Sequence, residues 1–130
     1  MLAREQAIIP AVGATDLSAK KGALVTLSTV SGVLTATLSA SATVKAVGVV
    51  LDGAATTAPS SIGILGALDG TAYVKLGGTV AGGALVQQNS DETVVTDAGS
   101  GARVVVGVAL DSGVSGDLIE VATWPPLTLS

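Results

Sequence analysis

The sequence predicts an all-β domain, a small barrel or sandwich built from two duplicated β-units with an extended N-terminal arm. Three observations carry that expectation. First, the 130 residues are 48% hydrophobic yet hold no Phe, one Tyr and one Trp, so the core must be aliphatic. Val and Thr fit pleated strands, while the 17 Gly, with Ser and Asp, fit the turns between them. Second, the apolar residues alternate with period two. Third, "VGVVLD" at 47–52 returns as "VGVALD" at 106–111, an offset of 59, and "GALV" at 22–25 returns at 83–86, an offset of 61. Two matched stretches in one order at nearly equal offsets read as one β-unit of about 60 residues used twice. Two copies are too few for a solenoid and suit a compact fold in which each half completes the other's core.

Taken in order, residues 1–19 read as an irregular arm, its "AIIPAV" interrupted by Pro10, which cannot donate to a ladder. "GALVTLSTV" and "VLTATLSA" flank Ser31-Gly32 and predict a hairpin. "TVKAVGVVL" is apolar on both faces and predicts a strand covered on both sides, with Val47, Val49 and Leu51 in the core. After a polar loop, "IGILGAL" and "TAYVKL" around Asp69-Gly70 predict a second hairpin. The Gly-rich "GGTVAGG" at 77–83 reads as the connection between the copies, which places the units at about 20–80 and 81–123 within one domain, 20–123. In the second copy "QNSDET" at 88–93 takes the place of the Ser-Gly turn, and Val106, Val108 and Leu110 are expected in the core. "SGVSGDLIEVATW" adds a last strand, leaving a tail at 124–130. Gly48 and Gly107 stand at the same place in both copies, which predicts a close backbone approach there. Asp52 and Asp111 end both motifs and are expected to accept hydrogen bonds from their own turns.

Composition narrows the chemistry. Without Cys there is no disulfide framework, and without His or Cys the commonest transition-metal ligands are missing. A net charge of −4 with almost no aromatic platforms argues against nucleic acid as a partner. The start has neither the form of a secretory signal nor an apolar run long enough to span a membrane. No His-based triad can form, and "GGTVAGG" lacks the Lys-Ser/Thr of a phosphate loop. Asp52 and Asp111 could form a carboxylate pair only if the fold brought them together; turn acids are the simpler reading. "NSDE" lacks the spaced acids of a calcium loop. The expectation is a structural interaction protein with no catalytic residues, no metal and no cofactor.

One resemblance sharpens this. "VVVGVALDSGVSGDLIEV" at 104–121 resembles the closing motif of small capsid decoration, or cement, proteins of tailed bacteriophages: Gly-Val-Ala-Leu-Asp, a short small-residue turn, then Gly-Asp/Glu and a Val. The earlier "GVVLD" and the "VKLGGTVAGGALV" middle fit the same pattern, so the likeness covers about 20–123. The chain departs from it in its Pro10-containing start and in "TTAPSS" downstream of the first motif. The resemblance implies a β-barrel on the outer surface of an icosahedral capsid. It would be made in the host cytoplasm, associate as a homotrimer and cement the major capsid subunits, which are its partner. The two ends are expected to make the shell or subunit contacts, through Leu2, Ile8, Ile9, Pro10 and Val12 of the arm and Trp124, Pro125 and Pro126 of the tail. The rival class is a carbohydrate-binding or other β-domain of a phage tail or cell-surface assembly; a bacterial compartment or surface-layer component shares the assembly logic. Sugar sites want aromatic platforms and paired acids, and this chain has only Tyr73 and Trp124 to offer.

Overall fold

The computed structural model describes residues 8–67 and 71–130. All the regular structure in them is strand: β1 Ile8–Gly13, β2 Leu24–Val30, β3 Val33–Leu38, β4 Gly48–Asp52, β5 Pro59–Ile64, β6 Ala72–Lys75, β7 Leu85–Gln88, β8 Val94–Thr96, β9 Arg103–Ala109 and β10 Leu118–Leu129. The first five close into a barrel in the order β1-β3-β2-β4-β5, and the second five form a sheet in the order β6-β10-β9-β7-β8.

The two sheets are copies of one design. In the first, Leu24 pairs with Val49 and Val25 with Gly48; in the second, Leu85 pairs with Val108 and Val86 with Gly107. These are the residues of the two repeated motifs, in the same register. The loops before them also match: Gly22 N donates to Val50 O as Gly83 N does to Ala109 O, both glycines having positive φ (84° and 89°). The outer strands follow suit. β1 pairs with β3 in parallel through Gly13 and Ala36, and the second sheet repeats this as a single parallel bridge between Leu76 and Val94. The second barrel is therefore only half closed.

This topology moves the unit boundaries. The first unit begins at β1 and ends with β5; the second begins at β6. "GGTVAGG" lies inside the second unit, between β6 and β7, and does not join the copies. β5 pairs with β4 and β1, and β6 with β10, so "IGILGAL" and "TAYVKL" are not a hairpin; the turn at Asp69-Gly70 lies outside the described residues. The predicted arm is likewise corrected from residue 8 onward. Ile8–Val12 pairs antiparallel with β5, and the barrel closes through it. Pro10 is tolerated because β3 flanks this strand only from Val12, so only alternate N–H groups are needed over the first stretch. Leu17 is fully buried with Val25, Val50 and Ile62 in the first core, and its N–H bonds to Ala54 O at 3.0 Å. The predicted tail is also strand: Leu127–Leu129 continues β10 against β9 after a bulge at 124–126.

The Ser31-Gly32 hairpin is as expected. Both residues have positive φ (51° and 79°), the geometry that matches a two-residue loop to the twist of its strands.

A second core joins the units. Leu24, Ala46, Val49 and Leu65 of the first unit pack with Val74, Leu76, Val86, Val106, Ile119 and Val121 of the second. β4 is thus covered on both sides, Val50 facing its own barrel and Val49 the neighbouring unit. The expected core faces need correction at their ends: Val47 is 40% exposed and Leu110 51% exposed, with Leu51 and Val108 half-buried. Val106 is buried because a register shift between Val86 and Gln87 lets β9 bulge and turns its side chain inward. Val108 and Leu110 stand outside the shared core.

Polar groups pin the junction. Leu24 N donates to Glu92 O at 2.9 Å, Lys75 N to Gly22 O at 3.0 Å, and Lys20 Nζ lies 3.0 Å from Glu92 Oε1. Gln88 is fully buried: its Oε1 accepts from Ala46 N at 2.7 Å, and its Nε2 donates to Ser41 O at 3.1 Å and Val44 O at 2.8 Å.

Candidate functional site

Among the described residues, no group of three or more His, Cys, Asp or Glu stands close enough to hold a metal ion. Asp52 and Asp111 are exposed at equivalent ends of β4 and β9, and no interaction between them occurs among the described residues. Asp111 accepts from Ser112 N at 2.9 Å, as a turn acid should. No hydrogen bond to the Asp52 side chain occurs among the described residues, so its expected turn-capping role is not seen. The turn acids that do cap are Asp117, accepting from Val114 N at 2.9 Å; Asp91, from Thr93 N at 2.9 Å; and Asp16, from Ser18 N at 2.9 Å. The Ser18 hydroxyl and N–H together hold the Asp16 carboxyl below its ordinary range.

Gly48 and Gly107 are close-approach sites, both buried and both facing the strand that follows. A Cβ at Gly48 would lie 2.5 Å from Ile62 Cγ2 and 2.9 Å from Gly63 O; one at Gly107 would overlap Ala122 O and lie 3.0 Å from Val121 Cγ1. Since Ile62 and Val121 are themselves matched by pairing with Val50 and Ala109, the same contact occurs once per unit.

Of the predicted contact residues, Leu2 lies outside the described residues. Ile8 and Pro10 are exposed on β1, Val12 is half-buried, and Ile9 is buried and cannot touch a partner. Trp124 and Pro126 are half-buried and Pro125 is exposed. The fold brings the two ends of the chain together. Ile8 pairs with Gly63, and three residues on, Gly66 (φ 82°) packs against the ring of Pro125. Residues from both predicted ends therefore stand against the segment 63–66 at the end of β5.

Reasoning from sequence missed a second apolar surface, Leu85 with Val108 and Ala122, which stand side by side across β7, β9 and β10. Leu110 lies two residues on from Val108, just past the end of β9, its N–H bonded to Glu120 O. The signal was present in the repeat, since Leu85 and Leu110 occupy the places of Leu24 and Leu51. Nearby, the Lys21 ammonium sits 5.8 Å from the centre of the exposed Tyr73 ring.

The fold defines a tandem β-module, a closed barrel followed by a half-closed sheet of the same design. Among solved structures it is similar to the crystal structure of the head fiber gp8.5 N base in bacteriophage phi29. The TM-score is 0.70 at 15% sequence identity, over 95% of this chain and 97% of that chain. At that identity the likeness establishes the fold. No family model and no curated protein matches the sequence.

Proposed function

We propose that this chain is a structural protein of a tailed-phage virion that docks on the outer surface of the capsid and holds neighbouring major capsid subunits together. One observation carries the reading: 95% of the chain, both units included, is similar in fold to a phage head-fiber base. The closing motif at 104–121, which resembles capsid decoration proteins, supports it independently. The protein is read as non-enzymatic, acting through its surfaces. The docking patch is the one where both ends meet, with Ile8 and Pro10 of β1 and Pro125 beside Gly66. Rigid, pre-ordered strands lose less entropy on binding than a loose arm would.

The test adds purified full-length protein to capsids lacking decoration and measures occupancy by electron microscopy. Saturable occupancy at fixed capsid positions is expected, and Ile8→Glu with Pro125→Glu should reduce it by about tenfold or more. Wild-type protein that ignores every tailed-phage capsid tried removes the reading. Undiminished binding by the double variant moves the docking patch elsewhere.

A further inference from the structure

Six aspartates lie in the described residues, and five of them have a carboxylate held by a hydrogen bond. Asp16 accepts from Ser18 N, Asp91 from Thr93 N, Asp97 from Arg103 Nε, Asp111 from Ser112 N and Asp117 from Val114 N. Asp52 is the sixth. It is exposed, and its side chain accepts no hydrogen bond among the described residues. The ladder is broken beside it. Val50 pairs with Ile62 and Asp52 with Ser61, which leaves Leu51 bulged between them. The residue that follows is Gly53, so no side chain shields the next backbone nitrogen.

We infer that Asp52-Gly53 is a site of spontaneous covalent modification, the isomerisation of aspartate to isoaspartate through a cyclic imide. The Gly53 backbone nitrogen attacks Cγ of the protonated Asp52 carboxyl. An N–Cγ bond forms, a Cγ–O bond breaks, and the nitrogen's proton leaves with the hydroxyl as one water. Water then opens the five-membered ring at either carbonyl. Opening at the α-carbonyl leaves the chain running through Cγ, with one extra carbon in the main chain. Nothing is oxidised or reduced, and water is the only co-reactant. The fold makes this change costly. Gly53 lies so close to Leu17 that a Cβ there would overlap the Leu17 carbonyl oxygen. Leu17 N donates to Ala54 O at 3.0 Å, and Ala54 N to Ser60 Oγ at 2.9 Å. A longer main chain between Asp52 and Gly53 pushes on that contact and on Leu17, which is fully buried in the first core. The first barrel should therefore loosen as the protein ages.

The test needs no capsid, so its outcome is separate from that of the docking proposal. Full-length protein is aged in neutral buffer and digested, and each aspartyl peptide is assayed for isoaspartate by fragmentation mass spectrometry. Isoaspartate should accumulate at Asp52 about tenfold or more faster than at Asp111, the factor set by first breaking a hydrogen bond to a charged group. Equal or slower accumulation at Asp52 overturns the inference. Asp52→Glu keeps the exposed charge but needs a six-membered ring, which closes far more slowly. Fresh samples of the two proteins should melt together by circular dichroism; if Asp52→Glu does not fold, Asp52→Ser is read in its place. Aged wild type should melt lower in proportion to its isoaspartate at position 52, and the aged variant should not. Both chains keep Asp69-Gly70, which lies outside the described residues, so the difference between them reports Asp52. An equal loss in both overturns the link to the barrel.

Discussion

Leu24 and Leu85 stand at one position of a repeated unit, each paired with the valine that follows the glycine of its "VGV" strand, Val49 and Val108. Yet Leu24 is fully buried and Leu85 is 43% exposed. The difference is not local, because the strands, turns and register agree. It arises because Leu24 packs into the core shared with the second unit, while no described residue packs over Leu85 in the same way. Leu24→Ala should therefore cost about 2–5 kcal/mol, the range for truncating a buried leucine. Leu85→Ala, at concentrations where the protein is a single chain, should cost less than about 1 kcal/mol. Urea denaturation of both variants checks this; equal losses would mean that the two faces are equally covered.

The paired glycines give a second expectation. A side chain at Gly48 meets Ile62 and the Gly63 carbonyl, and one at Gly107 meets the Ala122 carbonyl first. Backbone moves less readily than a side-chain methyl. Gly48→Val and Gly107→Val should each destabilise by about 1–3 kcal/mol, with Gly107→Val the worse. Melting temperatures unchanged in both would remove the close-approach role.

Gln88 is the polar group on which the junction depends. Its amide satisfies the Ala46 N–H and the carbonyls of Ser41 and Val44 from inside the molecule. Gln88→Leu keeps the volume and abandons all three partners. It should cost about 1–3 kcal/mol, the desolvation penalty of a buried group left unpaired. Faster hydrogen exchange at the Ala46 amide should accompany the loss; unaltered exchange there would mean that the loop holds itself.

How much of this was legible depended on side-chain size. The hairpin at Ser31-Gly32 and the doubled strand β4/β9 announced themselves through alternating Val and Leu and a repeated glycine. β1 did not, because its inward positions are Ile9, Ala11 and Gly13, and Ala and Gly carry almost no periodic signal. Pro10 then made the segment look broken. Its pairing partner lies some 50 residues away in the sequence, at Ser61, a contact no local pattern records. The unit boundary slipped for the same reason: with β1 unseen, the first copy appeared to begin at "GALV" and to take in β6. Asp52 and Asp111 read alike in sequence, but the register shift between Val50 and Asp52 sets only the first one's surroundings. The apolar residues at Leu85 and Leu110 were written in the repeat, but their exposure depends on how the two sheets pack together, which pattern alone does not reveal.

The first strand offers the strongest test of the corrected architecture. If residues 8–13 were a dispensable arm, a chain starting at residue 14 would fold. The structure demands the opposite. β1 closes the barrel between β3 and β5, and it brings Ile9 and Ala11 into the core around Leu17. Without it that core loses two side chains and opens to water. β3 and β5 become free edges, which invite pairing with other chains. The second unit would suffer as well, since Leu24 and Val49 of the first barrel fill its half-open side. The truncated chain should therefore show no cooperative melt by circular dichroism and should aggregate on gel filtration at concentrations where the full chain is soluble. A cooperative transition within a few degrees of that of the full chain would show that the barrel does not depend on β1.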